Sequence, residues 1–316
     1  MWKPLARSVI TEVVHRLPPA AKRVLLHALS ADVAADTAYE VLQALGRSFG
    51  ITDIRVLGDY GLVEGALADS SILATYARTR RWAAGTNRIV DAFFDRHERG
   101  TYIDVGANIG LTTIPIARRG AVACKAFEPE PATFRYLTRN VHQNCAAGNV
   151  ETYNLALYDQ RGSVAFELAD DNFGDHRIRR VDHDGSFGEA RRRVITVPAE
   201  RLDDVVNAAQ LAPPVVVKID TQGAECHVLC GGRAVLAAAA LVAFEFWPYG
   251  LRRLGGDPDT LATFIATTFS RGAVLAGDVD ATPVWRPISV IAAWLRDFAS
   301  QRRDAAYAYC DVIVAQ

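Results

Sequence analysis

The stretch Tyr102-Ile-Asp-Val-Gly-Ala-Asn-Ile-Gly-Leu111 decides the fold class of this 316-residue chain. It begins as a short apolar run, turns at Gly106 and Gly110, and leads into an amphipathic run that reaches Arg118. This pattern predicts a strand, a tight loop and the start of a helix, an arrangement in which backbone N–H groups can meet a ligand. Because glycine has no Cβ, we expect Gly106 and Gly110 to let that ligand approach the backbone.

A second apolar run, residues 121–127, ends at Glu128. We expect this run to be the strand next to the first. A carboxylate at such a strand end can accept hydrogen bonds from both hydroxyl groups of a ribose, as in nucleotide-binding folds. A ligand with a ribose would therefore lie at the glycine turn and against Glu128.

The spacing Gly106-x-x-x-Gly110 leaves three interpretations open. The first is a strand–helix turn without a ligand, because this spacing alone is weakly specific. The second is a dinucleotide site, which needs G-x-G-x-x-G and brings a pyrophosphate toward a strand end where Asp104 would repel it. The third is S-adenosylmethionine, whose cationic sulfonium and amino-acid end suit an acidic strand end. We favour the third interpretation.

Five segments, in this order, resemble the motif set of the FkbM-type methyltransferases. They are Asp104-Val-Gly-Ala-Asn-Ile-Gly110, Phe127-Glu-Pro-Glu-Pro-Ala-Thr-Phe134, Leu137-x-x-Asn140, Asn154-x-Ala-Leu157 and Lys218-Ile-Asp-Thr-Gln-Gly-Ala-Glu225. The resemblance covers residues 50–315. It implies a class I, Rossmann-like methyltransferase fold, with S-adenosyl-L-methionine as cofactor and S-adenosyl-L-homocysteine as product. It also implies a hydroxyl acceptor on a sugar, a glycan or a secondary metabolite.

Composition and charge argue against several classes of protein. Half of the residues are apolar, which is enough for a sizeable core. The formal net charge is −1 and no dense basic patch is interleaved with aromatic residues, so we expect no nucleic-acid partner. The longest apolar run, residues 234–244, is too short to span a bilayer. Five scattered cysteines predict reduced thiols in a cytoplasmic protein. The oligomeric state stays open, a homodimer included.

Alternating strand and helix patterns predict the architecture of the core. From residue 101 onward the elements are strands at residues 101–105, 121–127 and 150–154, and helices at residues 110–118 and 131–143. Such alternation with short loops indicates a doubly wound, mostly parallel α/β sheet, here of seven strands, with ligands at the carboxyl ends of the strands. We expect residues 1–98 to form a mainly helical lead-in and residues 99–316 the S-adenosylmethionine-binding domain.

The residues that we expect to bind the cofactor follow these strand ends. They are Asp104, Gly106, Asn108, Gly110, Glu128, Pro129, Asn154, Ala156 and Asp220. The stretch from Asn154 to Leu157 passes the third strand end and is placed to meet the adenine. Asp220 follows the continuous branched run at residues 215–219, which predicts a fully buried strand. In a methyltransferase-type sheet that strand lies beside the first.

Residues 169–193 differ from the rest of the domain because they are rich in Asp, Arg and His. The segment is too polar for a core and long for a connection, so we interpret it as a mobile lid or a substrate loop. A solvated, disordered loop is the alternative. The motif Asn172-Phe-Gly-Asp-His176 resembles a short motif at the same place in relatives, which favours the lid.

Methyl transfer is an in-line displacement at a sulfonium carbon, so positioning supplies much of the rate. A hydroxyl acceptor must also lose its proton, which requires a base within hydrogen-bond reach. The candidates for this catalytic base are Asp220, His176 and Glu245. His176 has a suitable unperturbed pKa, whereas Asp220 would need burial to act as a base.

Gln222 is the departure from the family pattern that leaves the chemistry most open. Asp220, Glu245 and a loop carboxylate could hold Mg²⁺, which prefers oxygen ligands. Relatives usually have Glu where this chain has Gln222, so we predict no metal site and disfavour Mg²⁺. The same departure leaves open an altered substrate or a cofactor-binding protein without catalysis. N-methylation is a further alternative, as is an NAD-dependent oxidoreductase, which the loop spacing disfavours.

Overall fold

The computed structural model describes residues 16–18, 35–181, 183–275, 282–302 and 305–316. They fall into two compact units, one within Met1–Trp82 and Asp170–Gly174 and the other within Ala83–Ala169 and Asp175–Gln316. The domain division that we expect at residue 98 stays a prediction. The helices expected before residue 35 lie outside the described residues, apart from residues 16–18.

The first unit combines two described helices with a β-hairpin. In chain order its elements are helix α1 (Ala35–Phe49), strands β1 (Asp53–Gly58) and β2 (Gly61–Ala66), and helix α2 (Ile72–Thr79). The two strands are antiparallel, with Gly58 opposite Gly61 at the turn. The Asp69 carboxylate accepts hydrogen bonds from the backbone N–H groups of Ser71 and Leu73, at 2.9 and 2.8 Å. It thereby satisfies N–H groups that the start of α2 leaves free.

Two sheets organise the second unit. Its strands are β3 (Gly100–Val105), β4 (Val122–Phe127), β5 (Val150–Tyr153), β6 (Ala156–Leu157), β7 (Gly162–Leu168), β8 (Arg177–Ile178), β9 (Arg193–Glu200), β10 (Val215–Ile219), β11 (Ala239–Phe246), β12 (Arg271–Leu275), β13 (Arg286–Pro287) and β14 (Cys310–Ala315). The larger sheet has eight strands in the order β13-β12-β14-β11-β10-β3-β4-β5, and the smaller has four in the order β6-β9-β7-β8.

The larger sheet confirms the predicted doubly wound α/β fold. Its strands β5, β4, β3, β10 and β11 are parallel, and β14 and β12 are antiparallel to their neighbours. The eighth strand, β13, adds only a two-residue edge pairing to the seven strands predicted. Such a short pairing carries no periodicity, so the sequence pattern could not indicate it.

Helices cover this sheet and bury both of its faces. They are α3 (Ala84–Asp95), α4 (Thr113–Ala117), α5 (Pro131–Asn144), α6 (Leu202–Val205), α7 (Glu225–Gly231), α8 (Arg233–Ala237), α9 (Pro248–Arg253), α10 (Pro258–Thr268) and α11 (Ile288–Gln301). Ile103 and Val217 belong to one buried apolar cluster, and their neighbours Tyr102 and Val216 belong to another. This alternation is that of strands covered on both faces. No described helix is both long and apolar enough to cross a membrane.

The polar segment at residues 169–193 corrects one of our expectations. Arg177 is 2% exposed, and it binds Glu167 at 2.9 Å and Glu189 at 3.0 Å as well as Asp175. The expectation that this segment is too polar to enter a core is therefore wrong for the part around Arg177. Opposite charges that also hydrogen-bond to one another can be buried together, whereas composition reports only the number of charges.

Candidate functional site

The carboxyl ends of four neighbouring parallel strands bring acidic side chains to one edge of the large sheet. Asp104 lies near the end of β3, Glu128 follows β4, Asp220 follows β10, and Glu245 lies near the end of β11. Lys218 of β10 is in register with Asp104 of β3, so Asp220 extends two residues beyond that pair. The strand order β4-β3-β10-β11 therefore places these groups side by side.

Asp104 is buried beneath the glycine turn. Its Oδ2 accepts hydrogen bonds from the hydroxyl groups of Thr112 and Thr113, both at 2.6 Å, and its Oδ1 lies 3.2 Å from Lys218 Nζ. Asp104 is 0% exposed. The structure thus places this carboxylate where it fixes the turn and the start of α4 from the inside, and a direct contact with a ligand stays a prediction.

Lys218 is a site residue that the sequence reasoning missed. Its Nζ donates a hydrogen bond to the Gly106 carbonyl oxygen at 2.7 Å and lies 3.7 Å from Asp220 Oδ2. Burial by itself would lower the pKa of Lys218, but the carboxylates of Asp104 and Asp220 raise it above its usual value. The signal for it was present, because Lys218 is the one charged residue in the apolar run of β10.

The two glycines of the turn are required by the packing of the protein itself. Gly106 has a φ of +79°, and a Cβ on it would lie 1.9 Å from the Asp220 carbonyl oxygen. A Cβ on Gly110, with a φ of +95°, would lie 3.1 Å from Leu137 Cδ1. The close approach of protein atoms and the positive φ therefore require glycine at both positions, and the approach of a ligand to this turn stays a prediction.

Glu128 joins the glycine turn to the turn after β4. Its Oε2 accepts a hydrogen bond from the Asn108 backbone N–H at 3.0 Å, and its Oε1 accepts one from the Glu130 N–H at 2.8 Å. Glu130 in turn caps α5 by accepting a hydrogen bond from the Thr133 N–H at 2.6 Å. Burial raises the pKa of Glu128 to about 8, although the two N–H groups oppose that shift.

Asn154, Pro129 and Ala156 complete the predicted cofactor set. The Asn154 side-chain amide donates hydrogen bonds to the carbonyl oxygens of Glu128 and Pro129, at 2.9 and 3.0 Å. Ala156 is buried in β6, where it pairs with Ala199 of β9. Asn154 thus holds the backbone on which the Glu128 carboxylate is presented.

Asp220 and Glu245 are joined by Gln222. The Gln222 side-chain Nε2 donates hydrogen bonds to Asp220 Oδ1 at 2.9 Å and to Glu245 Oε2 at 3.1 Å. The Asp220 side chain is 41% exposed. Burial and the charge of Asp220 raise the pKa of Glu245 well above its usual value. The arrangement therefore offers one accessible carboxylate beside a second carboxyl group that is buried and has a raised pKa.

Gln222 also bears on the metal hypothesis. Its amide gives N–H donors to the two carboxylates, where a glutamate would give a third anionic oxygen ligand. Across the part of the chain that the structure describes, no three His, Cys, Asp or Glu side chains are grouped to hold a metal ion. Sequence reasoning singled out Gln222 but could not foresee the bridge, because Glu245 comes from a different strand.

His176 is held by the backbone. Its Nδ1 accepts a hydrogen bond from the Ala169 N–H at 3.0 Å, so the proton of the neutral ring lies on Nε2. Burial lowers the pKa of His176 to about 4, against the effect of Glu130. An imidazole whose basic nitrogen is already engaged is a weaker candidate for the catalytic base than the accessible Asp220.

Sequence comparison adds a family and several relatives. Residues 104–257 match the family described as the methyltransferase FkbM domain. The hexuronic acid methyltransferase AglP of Haloferax volcanii is 30% identical over 142 residues, which cover 45% of this chain and 54% of the relative. The 2-O-methyltransferase NoeI of Sinorhizobium fredii is 23% identical over 158 residues, which cover 46% of this chain and 62% of the relative. The matches thus span little more than half of these relatives.

Proposed function

We propose that this chain, whose residues 104–257 match the methyltransferase FkbM domain, transfers a methyl group from S-adenosylmethionine to a hydroxyl group of a sugar-like acceptor. Two relatives are named for methylation of a hexuronic acid and for 2-O-methylation, which supports an oxygen acceptor on a sugar. The absence of a transmembrane helix among the described residues does not bear on the acceptor.

The observation that carries the proposal is the placement of Glu128 and Asp220 on either side of the glycine turn. Glu128 follows β4, Asp220 follows β10, and β3 with its turn lies between them. Each carboxylate oxygen of Glu128 uses one lone pair on a backbone N–H. The remaining lone pairs suit the two hydroxyl groups of a ribose. The turn residues Asn108 and Pro129 would lie beside that ribose.

Asp220 is the group that we assign to the proton of the acceptor. S-adenosylmethionine, when bound, supplies a methyl group that its sulfonium already activates. The protein then has to hold the acceptor hydroxyl in line and accept its proton. Asp220 is accessible to an acceptor and is oriented by Gln222, whereas Glu245 is buried and its pKa is raised. The cofactor and the acceptor, when bound, would cover Asp220 and supply the burial that strengthens a carboxylate as a base.

The test compares Asp220→Asn with His176→Ala. In an assay with S-adenosylmethionine and a panel of hexoses and hexuronic acids, mass spectrometry detects the methylated product. We expect kcat of Asp220→Asn to fall by roughly 10²–10⁴, the usual contribution of a general base. We expect His176→Ala to retain most of its turnover. The exposed Asp297, changed to Asn, is the control for loss of a carboxylate elsewhere.

The opposite result would make His176, and not Asp220, the catalytic base. Loss of turnover in His176→Ala with cofactor affinity preserved, together with full turnover in Asp220→Asn, contradicts our assignment. If the wild-type protein binds S-adenosylmethionine but methylates none of the sugars in the panel, the assignment of a sugar-like acceptor is wrong.

A further inference from the structure

Four aromatic side chains of the second unit form a contiguous group, which we call the aromatic cluster. The ring of Phe187 lies with its centroid 5.6 Å from Trp247, 5.5 Å from Tyr249 and 4.8 Å from Tyr307. Trp247 and Tyr249 also contact each other, at 5.3 Å. These separations are those of edge-to-face and tilted aromatic pairs, which attract one another.

The aromatic cluster lies at the same edge of the large sheet as Asp220 and Glu245. Trp247 comes two residues after Glu245, at the carboxyl end of β11. Strand β14 is antiparallel to β11, with Cys310 opposite Phe246, so the segment just before β14 reaches this same edge. The Trp247 indole N–H donates a hydrogen bond to the Ala306 carbonyl oxygen at 2.6 Å and so fixes the neighbour of Tyr307.

The inner rings of the aromatic cluster, those of Phe187, Trp247 and Tyr249, contact the buried ion pairs around Arg177. The Arg177 guanidinium lies 5.1 Å from the Trp247 ring centroid and 5.6 Å from that of Phe187. The Tyr249 hydroxyl donates a hydrogen bond to Glu189 Oε1 at 2.7 Å, and the same oxygen binds Arg177. Trp247 is only 5% exposed. The inner rings therefore have little freedom to move.

Tyr307 is the exposed member of this otherwise anchored group. It is 75% exposed, although its ring contacts Phe187. The nearby Tyr309 is 61% exposed. Most of the Tyr307 ring surface is thus presented to solvent on a support that fixes its position. An exposed ring on a rigid support offers an apolar face at a fixed position, on which a ligand can stack.

We propose that Tyr307, on the aromatic cluster, is the stacking surface for the pyranose ring of the acceptor. A pyranose presents an apolar C–H face and a rim of hydroxyl groups. The tyrosine ring matches the C–H face, and the accessible carboxylate of Asp220 matches a hydroxyl group of the rim. The assignment rests on the proposed function, since it names the surface that would orient the sugar for methylation.

The test measures acceptor KM and kcat for the wild-type protein, Tyr307→Ala and Tyr307→Phe. The acceptors are methyl hexopyranosides and methyl hexuronides, with S-adenosylmethionine at saturation. We expect Tyr307→Ala to raise the acceptor KM by about tenfold, since it removes the stacked ring. Tyr307→Phe keeps the ring and should stay within about twofold of wild type. Affinity for S-adenosylmethionine should be unchanged in both.

Trp294→Ala is the matched control, because Trp294 is an aromatic residue of α11 that is 40% exposed outside the cluster. It should leave the acceptor KM at the wild-type value. If the wild-type protein methylates a sugar and Tyr307→Ala methylates it with the same KM, the stacking assignment is wrong. The proposed function would still hold in that case. Cofactor binding without methylation of any sugar in the panel overturns both.

Discussion

At the scale of the residue, Glu128 is the side chain on which cofactor binding depends most directly. Its carboxylate ties the Asn108 and Glu130 backbone N–H groups together at the strand ends. We expect Glu128→Ala to weaken S-adenosylmethionine binding by about 1.5–3 kcal/mol, within the range for leaving buried hydrogen-bonding groups without their partner. Titration calorimetry measures this change. The control is Glu151→Ala, since the Glu151 side chain is 62% exposed on β5. Unchanged affinity in a folded Glu128→Ala protein contradicts the ribose assignment.

Glu128 also predicts a pH dependence of stability. Its pKa is raised to about 8 in the folded protein, above its value in the unfolded chain, so the folded state binds this proton more tightly. The stabilisation is complete below the unfolded pKa and is lost as the pH rises toward about 8. We expect the Tm of the cofactor-free protein to fall across this range, and Glu128→Gln to make the fall shallower. An equally steep fall in Glu128→Gln contradicts the raised pKa.

Gln222 is the neutral residue that hydrogen-bonds to both Asp220 and Glu245. Gln222→Glu removes the two amide hydrogen bonds and adds a negative charge between two carboxyl groups. We expect a loss of about 1–3 kcal/mol in the free energy of unfolding. Added Mg²⁺ should recover part of that loss, because three carboxylates form a site for a hard cation.

Gln222→Met separates the two effects of that substitution. It loses the amide hydrogen bonds without adding a charge, so it should be destabilised but should not respond to Mg²⁺. Chemical denaturation with and without Mg²⁺ gives both quantities. A Gln222→Glu protein as stable as wild type, or a Gln222→Met protein that Mg²⁺ stabilises equally, contradicts the bridging role.

At the scale of the element, the segment from Asp175 to Arg192 shows where pattern reasoning fails. Its arginines Arg177 and Arg192 bind Glu167 of β7, and Arg177 also binds Glu189 in the 3₁₀ turn at Glu189–Arg191. These contacts enclose Arg177 completely. Spacing along the chain cannot show which charges will meet in the fold. Strands β10 and β4 were predicted well, because continuous or alternating apolar runs carry the information locally.

The buried ion pairs of this segment predict that replacing Arg177 strongly lowers the free energy of unfolding. Arg177→Leu leaves the carboxylates of Glu167, Asp175 and Glu189 without their shared partner. We expect it to lower the free energy of unfolding by about 3–5 kcal/mol, as is usual when one side of a buried ion pair is removed. The control is Arg296→Ala, whose partner Asp259 is 61% exposed. That change should cost at most about 1 kcal/mol. Urea unfolding that gives equal losses contradicts the buried network.

At the scale of the whole molecule, topology explains how much of the site could be predicted. Once β3, β4 and β10 are recognised as parallel neighbours, their carboxyl ends must share one edge, and Asp104, Glu128 and Asp220 follow from that rule. The Lys218 contacts and the Gln222 bridge depend on side-chain directions across different strands. The aromatic cluster joins residues 187, 247, 249 and 307, which only the folded chain brings together.

The central claim is that this edge of the sheet binds S-adenosylmethionine. Isothermal titration of the wild-type protein with S-adenosylmethionine, S-adenosylhomocysteine and NAD tests it most directly. We expect micromolar binding of the first two ligands and none of NAD, because the turn lacks the G-x-G-x-x-G spacing that a dinucleotide site needs. Binding of NAD alone, or of none of the three, would mean that this edge of the sheet does not bind S-adenosylmethionine.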